Sequence, residues 1–494
     1  MGLKSFFGYC FAKYIFKKNN AWIKNAVRTQ NKQREFLLKK AINTKFGKDH
    51  NFSKISNYEE WKNFVPVRDY EGLKPYIDLV IEGENDVLWP GKPLYFCKTS
   101  GTTSGSKYIP ISKNSMKYHI IAARDAILAY IYETKNTSII DGKMIFIQGS
   151  PVLSTKAGIL TGRLSGIVAH HTPWYLKQNQ LPTLKTNSIN SWEKKIDEIC
   201  HETKDADLRL ISGIPPWVQM YFEKLIEKTG KNISSIFPDF NLFIHGGVNF
   251  SPYKKTFEKL VGKKVDSIEL YPASEGFIAY QNSLKEKGLL LCVNHGIFYE
   301  FVVADSFYEK KQIRINLENV ELGVNYVIIL NTTAGLYGYN IGDTVKFVSL
   351  NPYKIIVTGR IKHFTSAFGE HVIGEEVDFA INKAIDKLPA EIVEFHVAPE
   401  VNPKQGLPYH EWLIEFETPP KDLLLFEKTI DDYLQEKNPY YKDLIKGSVL
   451  RSLKITLISK NGFRKYMQSV GKLGGQNKVP RLSNNRKIAD KLLL

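Results

Sequence analysis

The sequence predicts an α/β protein with a large N-terminal α/β domain, containing mixed sheets and a β-rich subdomain, and a smaller C-terminal α+β lid domain. Its 494 residues are enough for two or more domains. Between residues 144 and 271, short apolar runs alternate with helical patterns, which is typical of parallel strands with helical crossovers. From about 289 to 358 the apolar runs follow one another closely, which indicates antiparallel or barrel-like strands.

Helices are predicted to dominate the first 133 residues. An imperfect apolar stripe predicts a helix within residues 20–48, and shorter helices follow at 57–64 and 70–81. A long helix is expected from Asn114 to Glu133. The alternating region then predicts strands at 144–148, 208–212, 242–245 and 267–271, with helices at 189–200, 215–229 and 252–262.

The second half of the chain predicts the β-rich subdomain and then the lid. Strands are expected at 289–293, 298–303, 326–330, 345–348 and 354–358. Beyond a turn at Gly359-Arg360, the pattern predicts helices at 374–387 and 420–436 and strands at 391–398, 410–417 and 450–458. We place the boundary near residue 361, which gives an N-terminal domain of residues 1–360 and a lid of residues 361–494.

The net charge of +17 is concentrated at the two ends of the chain. Residues 1–48 hold 12 Lys and Arg against one acidic residue, and residues 437–494 hold 14 against two. Basic ends can bind nucleic acid or an anionic membrane surface. Since no nucleic-acid-binding motif accompanies them, we favour solvated faces that attract a polyanionic small molecule, and we predict no nucleic-acid partner.

Composition also bears on the compartment. No stretch approaches the roughly 20 apolar residues of a membrane-spanning helix, so we predict no membrane insertion. The four cysteines, at positions 10, 97, 200 and 292, form no close pair, which argues against a disulfide framework and a zinc site. These features predict a cytoplasmic protein.

The stretch from Lys98 to Pro110 is rich in hydroxyl groups and glycine and has the character of a phosphate-binding loop. Gly101 and Gly105 allow backbone N–H groups to approach an anion closely, and Lys107 adds a positive charge. The glycine spacing differs from that of the kinase-type phosphate loop, which argues against that class.

Three further segments stand out. Tyr271-Pro-Ala-Ser-Glu-Gly276 follows a predicted buried strand, at the edge where open α/β sheets place ligands. Tyr339-Asn-Ile-Gly-Asp-Thr344 is expected to place an aspartate in a turn between strands, and Gly359-Arg360 closes the next strand pair. Each segment alone has an ordinary structural explanation. Their occurrence together, in this order, favours a nucleotide site.

In this order the segments resemble those of the adenylate-forming superfamily. Within it, the chain is similar to the auxin-responsive acyl acid amido synthetase family and its bacterial members. The family's three nucleotide motifs match Thr99–Pro110, Tyr271–Gly276 and Tyr339–Thr344, and its C-terminal Lys-x-Pro-Arg element matches Lys478-Val-Pro-Arg481. The resemblance spans almost the whole chain, from Val65 to Arg481.

The resemblance implies a set of site residues. The nucleotide-binding residues are Ser100, Thr102, Thr103, Tyr271, Ala273, Ser274, Glu275, Asp343, Arg360 and Lys478. Among them, Glu275 would lie near the phosphates and Mg²⁺, and Asp343 would hold the ribose hydroxyls. Arg360 would support the ribose side at the hinge, and Lys478 would reach the α-phosphate from the lid. Glu275 and Lys478 are the implied catalytic residues.

The resemblance also implies the reaction, with ATP and Mg²⁺ as cofactors. A carboxylic acid and ATP would give an acyl adenylate and pyrophosphate, and the amine of an amino acid would then form an amide with release of AMP. We expect a monomer. After Glu275 the sequence departs from the cysteine-containing continuation of plant members, so the acid and the amine stay open. His245 is a hypothetical general base for the amine.

Two other functions are compatible with the motifs. An adenylate-forming ligase with a thiol acceptor, coenzyme A or a carrier protein, would share the first half-reaction. A non-catalytic nucleotide-binding protein could use its basic ends on nucleic acid. The combination of Ser100, Glu275, Asp343 and Lys478 argues against the second alternative.

Overall fold

The computed structural model of the chain describes residues 3–100, 106–189, 192–247, 250–309, 312–361, 372–400, 403–446, 450–472, 478–483 and 485–494. These residues form two compact units. The first unit comprises Met1–Val248 and Leu260–Ile356, and the second comprises Asn249–Lys259 and Val357–Leu494. The first is a large α/β unit and the second a smaller α+β unit, which confirms the predicted fold class.

Twelve described α-helices lie in the first unit. They are α1 (Leu3–Ile23), α2 (Ala26–Ala41), α3 (Lys45–Asp49), α4 (Tyr58–Phe64), α5 (Tyr70–Ile81), α6 (Lys113–Thr134), α7 (Leu164–His170), α8 (Trp174–Lys177), α9 (Leu184–Asn187), α10 (Trp192–Thr203), α11 (Pro215–Thr229) and α12 (Ile233–Ile236). Side-chain caps fix several helix starts: Asn57 accepts from the N–H of Glu60, and Asp69 accepts from that of Gly72.

The strands of the first unit form two sheets. The strands are β1 (Tyr95–Ser100), β2 (Ser106–Ile111), β3 (Lys143–Ile147), β4 (Ser154–Lys156), β5 (Ile159–Gly162), β6 (Gln180–Leu181), β7 (Leu208–Gly213), β8 (Leu242–Gly246), β9 (Asp266–Ala273), β10 (Gly276–Tyr280), β11 (Leu289–Leu291), β12 (Ile297–Val303), β13 (Arg314–Asn316), β14 (Asn325–Thr332) and β15 (Tyr339–Leu350). Strand β16 (Tyr353–Arg360) and helix α13 (Lys254–Val261) cross the unit boundary.

The small sheet has the order β2-β1-β5-β4, and the large one has twelve strands. The large sheet runs β13-β12-β14-β15-β16-β11-β10-β9-β8-β7-β3-β6. Its β3, β7, β8 and β9 pair in parallel, as the alternating pattern predicts. The strands of the β-rich subdomain are antiparallel, also as predicted, but they continue this same sheet. Ala122 and Ala126 of α6 share a core cluster with Ile244 and Ile268 of the sheet.

The N-terminal helices differ from the prediction. In place of one helix within residues 20–48, the structure has α1, α2 and α3, with breaks after Ile23 and Ala41. Phenylalanines point to the solvent side of α1 as well as to its packed side, so the 3.6-residue apolar period is blurred there. Other predicted boundaries differ by a few residues: α10 begins at Trp192 and the last strand begins at Lys454.

The second unit contains a three-stranded sheet with helices packed against it. Its elements are β17 (Glu391–Glu400), β18 (Tyr409–Thr418), β19 (Lys454–Ile458), α14 (Gly374–Lys387), α15 (Leu423–Lys437), α16 (Pro439–Lys446), α17 (Gly462–Ser469) and α18 (Ala489–Leu492). The sheet order is β17-β18-β19. Buried Val377 of α14, Phe426 of α15 and Trp412 of β18 belong to one apolar cluster.

Candidate nucleotide site

The hydroxyl-rich stretch forms a hairpin rather than one long loop. Strands β1 and β2 pair antiparallel from Tyr95↔Ile111 to Ser100↔Ser106, and β1 also pairs in parallel with β5. Ser100 is the last residue of β1. Residues 101–105, with Thr102 and Thr103, lie outside the described residues.

The Tyr271–Gly276 segment forms the turn between β9 and β10. Strand β9 ends at Ala273, and β10 begins at Gly276, so Ser274 and Glu275 make the turn. Because β9 pairs in parallel with β8, this turn lies at the carboxyl edge of the parallel strands, as predicted.

A hydrogen bond connects this turn with the hydroxyl-rich hairpin. The Cys97 thiol of β1 donates to the Ser274 hydroxyl at 3.1 Å. Burial, together with the negative charge of Glu275, raises the pKa of Cys97 to about 12. Cys97 is therefore a neutral packing residue beneath the site, and the first two motifs are neighbours in space.

The third motif contains a β-bulge, not the turn between strands that the sequence predicts. Strand β15 pairs with β14 at Asn340↔Ile329 and at Thr344↔Val327, so the three residues 341–343 face a single residue of β14. Gly342 has a φ of +85°, and its N–H donates to the Asn340 side-chain oxygen at 2.7 Å. A bulge of this kind re-aims the side chain that follows it, here that of Asp343.

A hydrogen bond and a charge interaction join the second and third motifs. The Tyr271 hydroxyl donates to the Asp343 carboxylate at 2.6 Å. The pKa of Tyr339 is well above its usual value, first because the side chain is buried and then because the negative charge of Glu275 lies nearby. Tyr271 therefore holds the Asp343 carboxylate in a fixed position. The structure thus brings together Tyr271, Ser274, Glu275 and Asp343 within the first unit.

The resemblance assigns Glu275 to Mg²⁺. Within the ranges that the structure describes, no group of three or more His, Cys, Asp or Glu side chains could hold a metal ion. One carboxylate would fit Mg²⁺ that arrives with ATP, because Mg²⁺ keeps several waters and takes one or two carboxylates plus substrate phosphates.

Arg163 is a candidate site residue that the motifs did not identify. It follows Gly162, which pairs with Cys97 across β5 and β1, so it lies beside the base of the hairpin. Burial lowers the pKa of Arg163, and Cys97 lies within electrostatic range. In the described part of the chain its guanidinium has no hydrogen bond or ion pair. The sequence signal is weak, since it is one arginine after a short strand.

The structure argues against His245 as a general base. His245 is the penultimate residue of β8, its side chain is buried, and burial lowers its pKa to about 3. The α-amino group of an amino acid is a much stronger base than this imidazole, so proton transfer from its ammonium form to His245 is unfavourable. The adjacent Gly246 has a packing role, because a Cβ there would lie 2.3 Å from the Leu270 carbonyl oxygen.

Arg360 and Lys478 belong to the second unit, where both side chains are exposed. Arg360 is the last residue of β16. Lys478 lies within residues 478–483, which attach to the edge strand β17. The Val397 N–H donates to the Arg481 carbonyl at 2.8 Å, and the Ser483 N–H donates to the Val397 carbonyl at 3.0 Å.

Three domain matches account for well over half of the sequence. Residues 16–193 match the GH3 family N-terminal domain, residues 290–360 its central domain, and residues 375–487 its C-terminal domain. The chain belongs to the GH3 family. The resemblance to acyl acid amido synthetases that the motifs predict is thereby confirmed.

Characterised GH3 proteins are distant in sequence. A jasmonoyl–L-amino acid synthetase, JAR4 of Nicotiana attenuata, is 21% identical over 65% of this chain and 67% of its own. The indole-3-acetic acid-amido synthetase GH3.10 of Arabidopsis thaliana is 21% identical over 87% of this chain and 86% of its own.

The fold is shared along nearly the full length. The structure of the GH3.15 acyl acid amido synthetase superposes with a TM-score of 0.79 at 14% identity, over 97% of this chain and 95% of that one. A 2-hydroxyisobutyryl-CoA ligase in its postadenylation state gives a TM-score of 0.60 at 11% identity, over 94% of this chain and 91% of that one.

Proposed function

We propose that this GH3 protein is an ATP-dependent acyl acid amido synthetase. It converts a carboxylic acid and ATP into an acyl adenylate and pyrophosphate, and then transfers the acyl group to the amine of an amino acid with release of AMP. The observation that carries the proposal is that the second and third motifs meet in the first unit, through Tyr271 with Asp343 and Glu275 with Tyr339. Strand β1, which leads into the first motif, contacts the second motif through Cys97 and Ser274.

Each motif has a distinct task in binding ATP. The Asp343 carboxylate accepts hydrogen bonds from the ribose hydroxyls, since a carboxylate can accept several at once. Tyr271, Ala273 and Ser274 lie against the adenine. Ser100, Thr102 and Thr103 bind the phosphates, and Arg360 supports the ribose side.

The chemical step requires the charge on the acid and on the phosphates to be neutralised. Attack of the carboxylate on the α-phosphorus breaks the bond to pyrophosphate, and the protein contributes mainly positioning and positive charge. Lys478 neutralises the α-phosphate. Glu275 would hold Mg²⁺ that arrives with ATP, and the ion would supply further positive charge. Arg163 binds the carboxylate of the acyl acid, since a guanidinium presents paired donors to a carboxylate.

The two parts of the chain divide the work. Residues 1–360 bind the nucleotide and the acid, and residues 361–494 act as a lid that carries Lys478. The lid is expected to move between the two half-reactions, as lids do when they complete a site. We place the activity in the cytoplasm, which suits a protein whose four cysteines are all free.

ATP–pyrophosphate exchange tests the first half-reaction directly. The purified protein is assayed with Mg²⁺ and single acids from a panel that includes jasmonic acid, indole-3-acetic acid, 2,4-DB and fatty acids. The first three appear in the names of GH3 relatives. Exchange that needs one class of acid supports the proposal and identifies the substrate class. Asp343→Asn should abolish exchange, whereas Asp205→Asn, a change at an exposed surface carboxylate, should not.

The acceptor is tested separately. With the active acid in hand, AMP release is measured with single amino acids, with coenzyme A and with neither. Release that depends on an amino acid supports amide formation. Release that depends on coenzyme A instead would show a thioester-forming ligase.

A further inference from the structure

One face of α1 presents four aromatic side chains to solvent. The exposed fractions are 54% for Phe6, 61% for Phe7, 44% for Phe11 and 61% for Tyr14. On a helix these positions lie within one arc, because residues three, four and seven apart are neighbours. Exposed aromatic rings concentrated on one helix face mark an interaction surface.

The opposite face of α1 is firmly packed, so the aromatic rings stand on an ordered support. Ala12 and Ile15 are buried in the main core of the first unit. Phe16 stacks on Tyr132 of α6, with ring centres 4.0 Å apart. The Asn19 amide donates to the Asp125 carboxylate of α6 at 2.8 Å. The helix therefore cannot bury its aromatic arc by rotating.

Three lysines share the exposed arc. Lys13, Lys17 and Lys18 are all exposed, and within the described residues none of them has an ion pair or hydrogen bond. Helix α1 contains no aspartate or glutamate. We call this surface the aromatic–lysine face. It consists of Phe6, Phe7, Phe11, Tyr14, Lys13, Lys17 and Lys18.

We propose that the aromatic–lysine face docks this protein on bilayers that contain anionic phospholipid. Helices of this composition bind in the plane of the interface, with rings at the level of the headgroups and lysines next to lipid phosphates. None of the helices in the described ranges combines the length and apolar character needed to span a bilayer. The docking is therefore at the surface.

The positive charge of this face favours an anionic bilayer as its binding partner over a second copy of the chain. A dimer through this face would bring three lysines from each copy into one interface, and the face offers no carboxylate to neutralise them. An anionic bilayer neutralises the lysines and accepts the aromatic rings together. Residues 1–48 carry an excess of Lys and Arg, which adds to the electrostatic attraction between this part of the protein and an anionic bilayer.

Vesicle flotation tests the proposal with the full chain. We expect the protein to float with phosphatidylglycerol-containing vesicles, to float poorly with pure phosphatidylcholine, and to be released by high salt. Phe7→Gln with Phe11→Gln should lower the partition coefficient at least about tenfold. Changing Lys13, Lys17 and Lys18 to Gln should lower it about fivefold per lysine.

Matched controls lie at the start of α15 and just before it, where Leu424, Lys428 and Lys421 are exposed. Changing them to Gln should leave flotation unchanged, and all variants should keep the wild-type melting temperature. Absence of flotation with anionic vesicles, or flotation that survives both α1 variants, overturns the proposal. So does a lipid-free dimer in light scattering that Phe7→Gln with Phe11→Gln dissociates, or binding to duplex DNA but not to vesicles.

Discussion

The Tyr271 hydroxyl donates a 2.6 Å hydrogen bond to the Asp343 carboxylate, and this contact joins two segments that are 72 residues apart in sequence. Asp343 is 9% exposed, and a carboxylate so deeply placed needs hydrogen-bond donors to offset its lost hydration. Tyr271 therefore fixes the orientation of the carboxylate proposed to bind ribose. The bulge at Gly342 places Asp343 within reach of β9.

Replacing Tyr271 with Phe removes this hydrogen bond and keeps the ring. A hydrogen bond to a charged group contributes about 1.5–3 kcal/mol, so we expect the KM for ATP to rise by about tenfold or more. The KM for the acid should stay near the wild-type value. Steady-state exchange kinetics measure both. Tyr308→Phe, at an exposed ring, is the matched control. An unchanged KM for ATP would show that the contact does not organise the nucleotide site.

Arg163→Met tests the proposed binding of the acyl carboxylate. Loss of a charge-assisted hydrogen-bond pair should raise the KM for the acid by about tenfold or more, with little change in the KM for ATP. Arg163→Lys keeps the charge but loses the paired donors, so it should recover part of the affinity. If Arg163→Met raised the KM for ATP instead, Arg163 would be a phosphate ligand.

The Lys478 segment is held by a side-chain anchor as well as by its backbone. The Arg481 guanidinium pairs with Glu394 and lies 4.2 Å from the ring centre of Phe395. We expect Arg481→Met to slow the same half-reaction as Lys478→Met, by about tenfold, because misplacing a catalytic group is costly. Single-turnover assays of each half-reaction test this, with Arg481→Lys as a partial rescue. A lower melting temperature with full exchange activity would indicate a purely structural role.

Two buried histidines predict acid sensitivity of the fold. Burial lowers the pKa of His119 and of His295 to about 4. Their unfolded pKa is near 6.5, so the unfolded chain binds more protons between these values. Stability is therefore fully present above about pH 6.5 and falls as the pH drops towards about 4. At about pH 5 each histidine should lower the free energy of unfolding by about 2 kcal/mol.

Urea unfolding at about pH 7.5 and pH 5 measures this dependence. His119→Leu and His295→Leu should each flatten it, and combining them should flatten it further. Neither ring belongs to the proposed nucleotide site, and the described residues give the His295 ring nitrogens no hydrogen-bond partner. A pH dependence that both changes leave intact would contradict the assignment.

The motif segments could be predicted from the sequence because they depend on residue types that are close together in the chain. The position of Ser274 and Glu275 at a strand end follows from the apolar run before them. The bulge at Asp343 could not be predicted, because Gly342 signals a backbone irregularity but the pairing of β15 with β14 decides whether it is a turn or a bulge.

Pairing between distant strands also explains other differences between the sequence-based predictions and the structure. The arms of the hydroxyl-rich hairpin carry few strand signals, yet β1 is paired on both sides, by β2 and β5. Arg163 gains its position from that pairing and from no motif of its own. Helix α1 was not predicted because apolar residues lie on both of its faces. The same distribution leaves aromatic side chains exposed on its surface.

The measurement that tests the central claim most directly is acid-dependent ATP–pyrophosphate exchange by the wild-type protein and by Asp343→Asn. We predict exchange that requires a single class of carboxylic acid and that disappears in Asp343→Asn with the fold intact. Exchange at the wild-type rate in Asp343→Asn would contradict the proposed site. ATP binding without exchange for any acid across a broad panel would contradict the proposed adenylation.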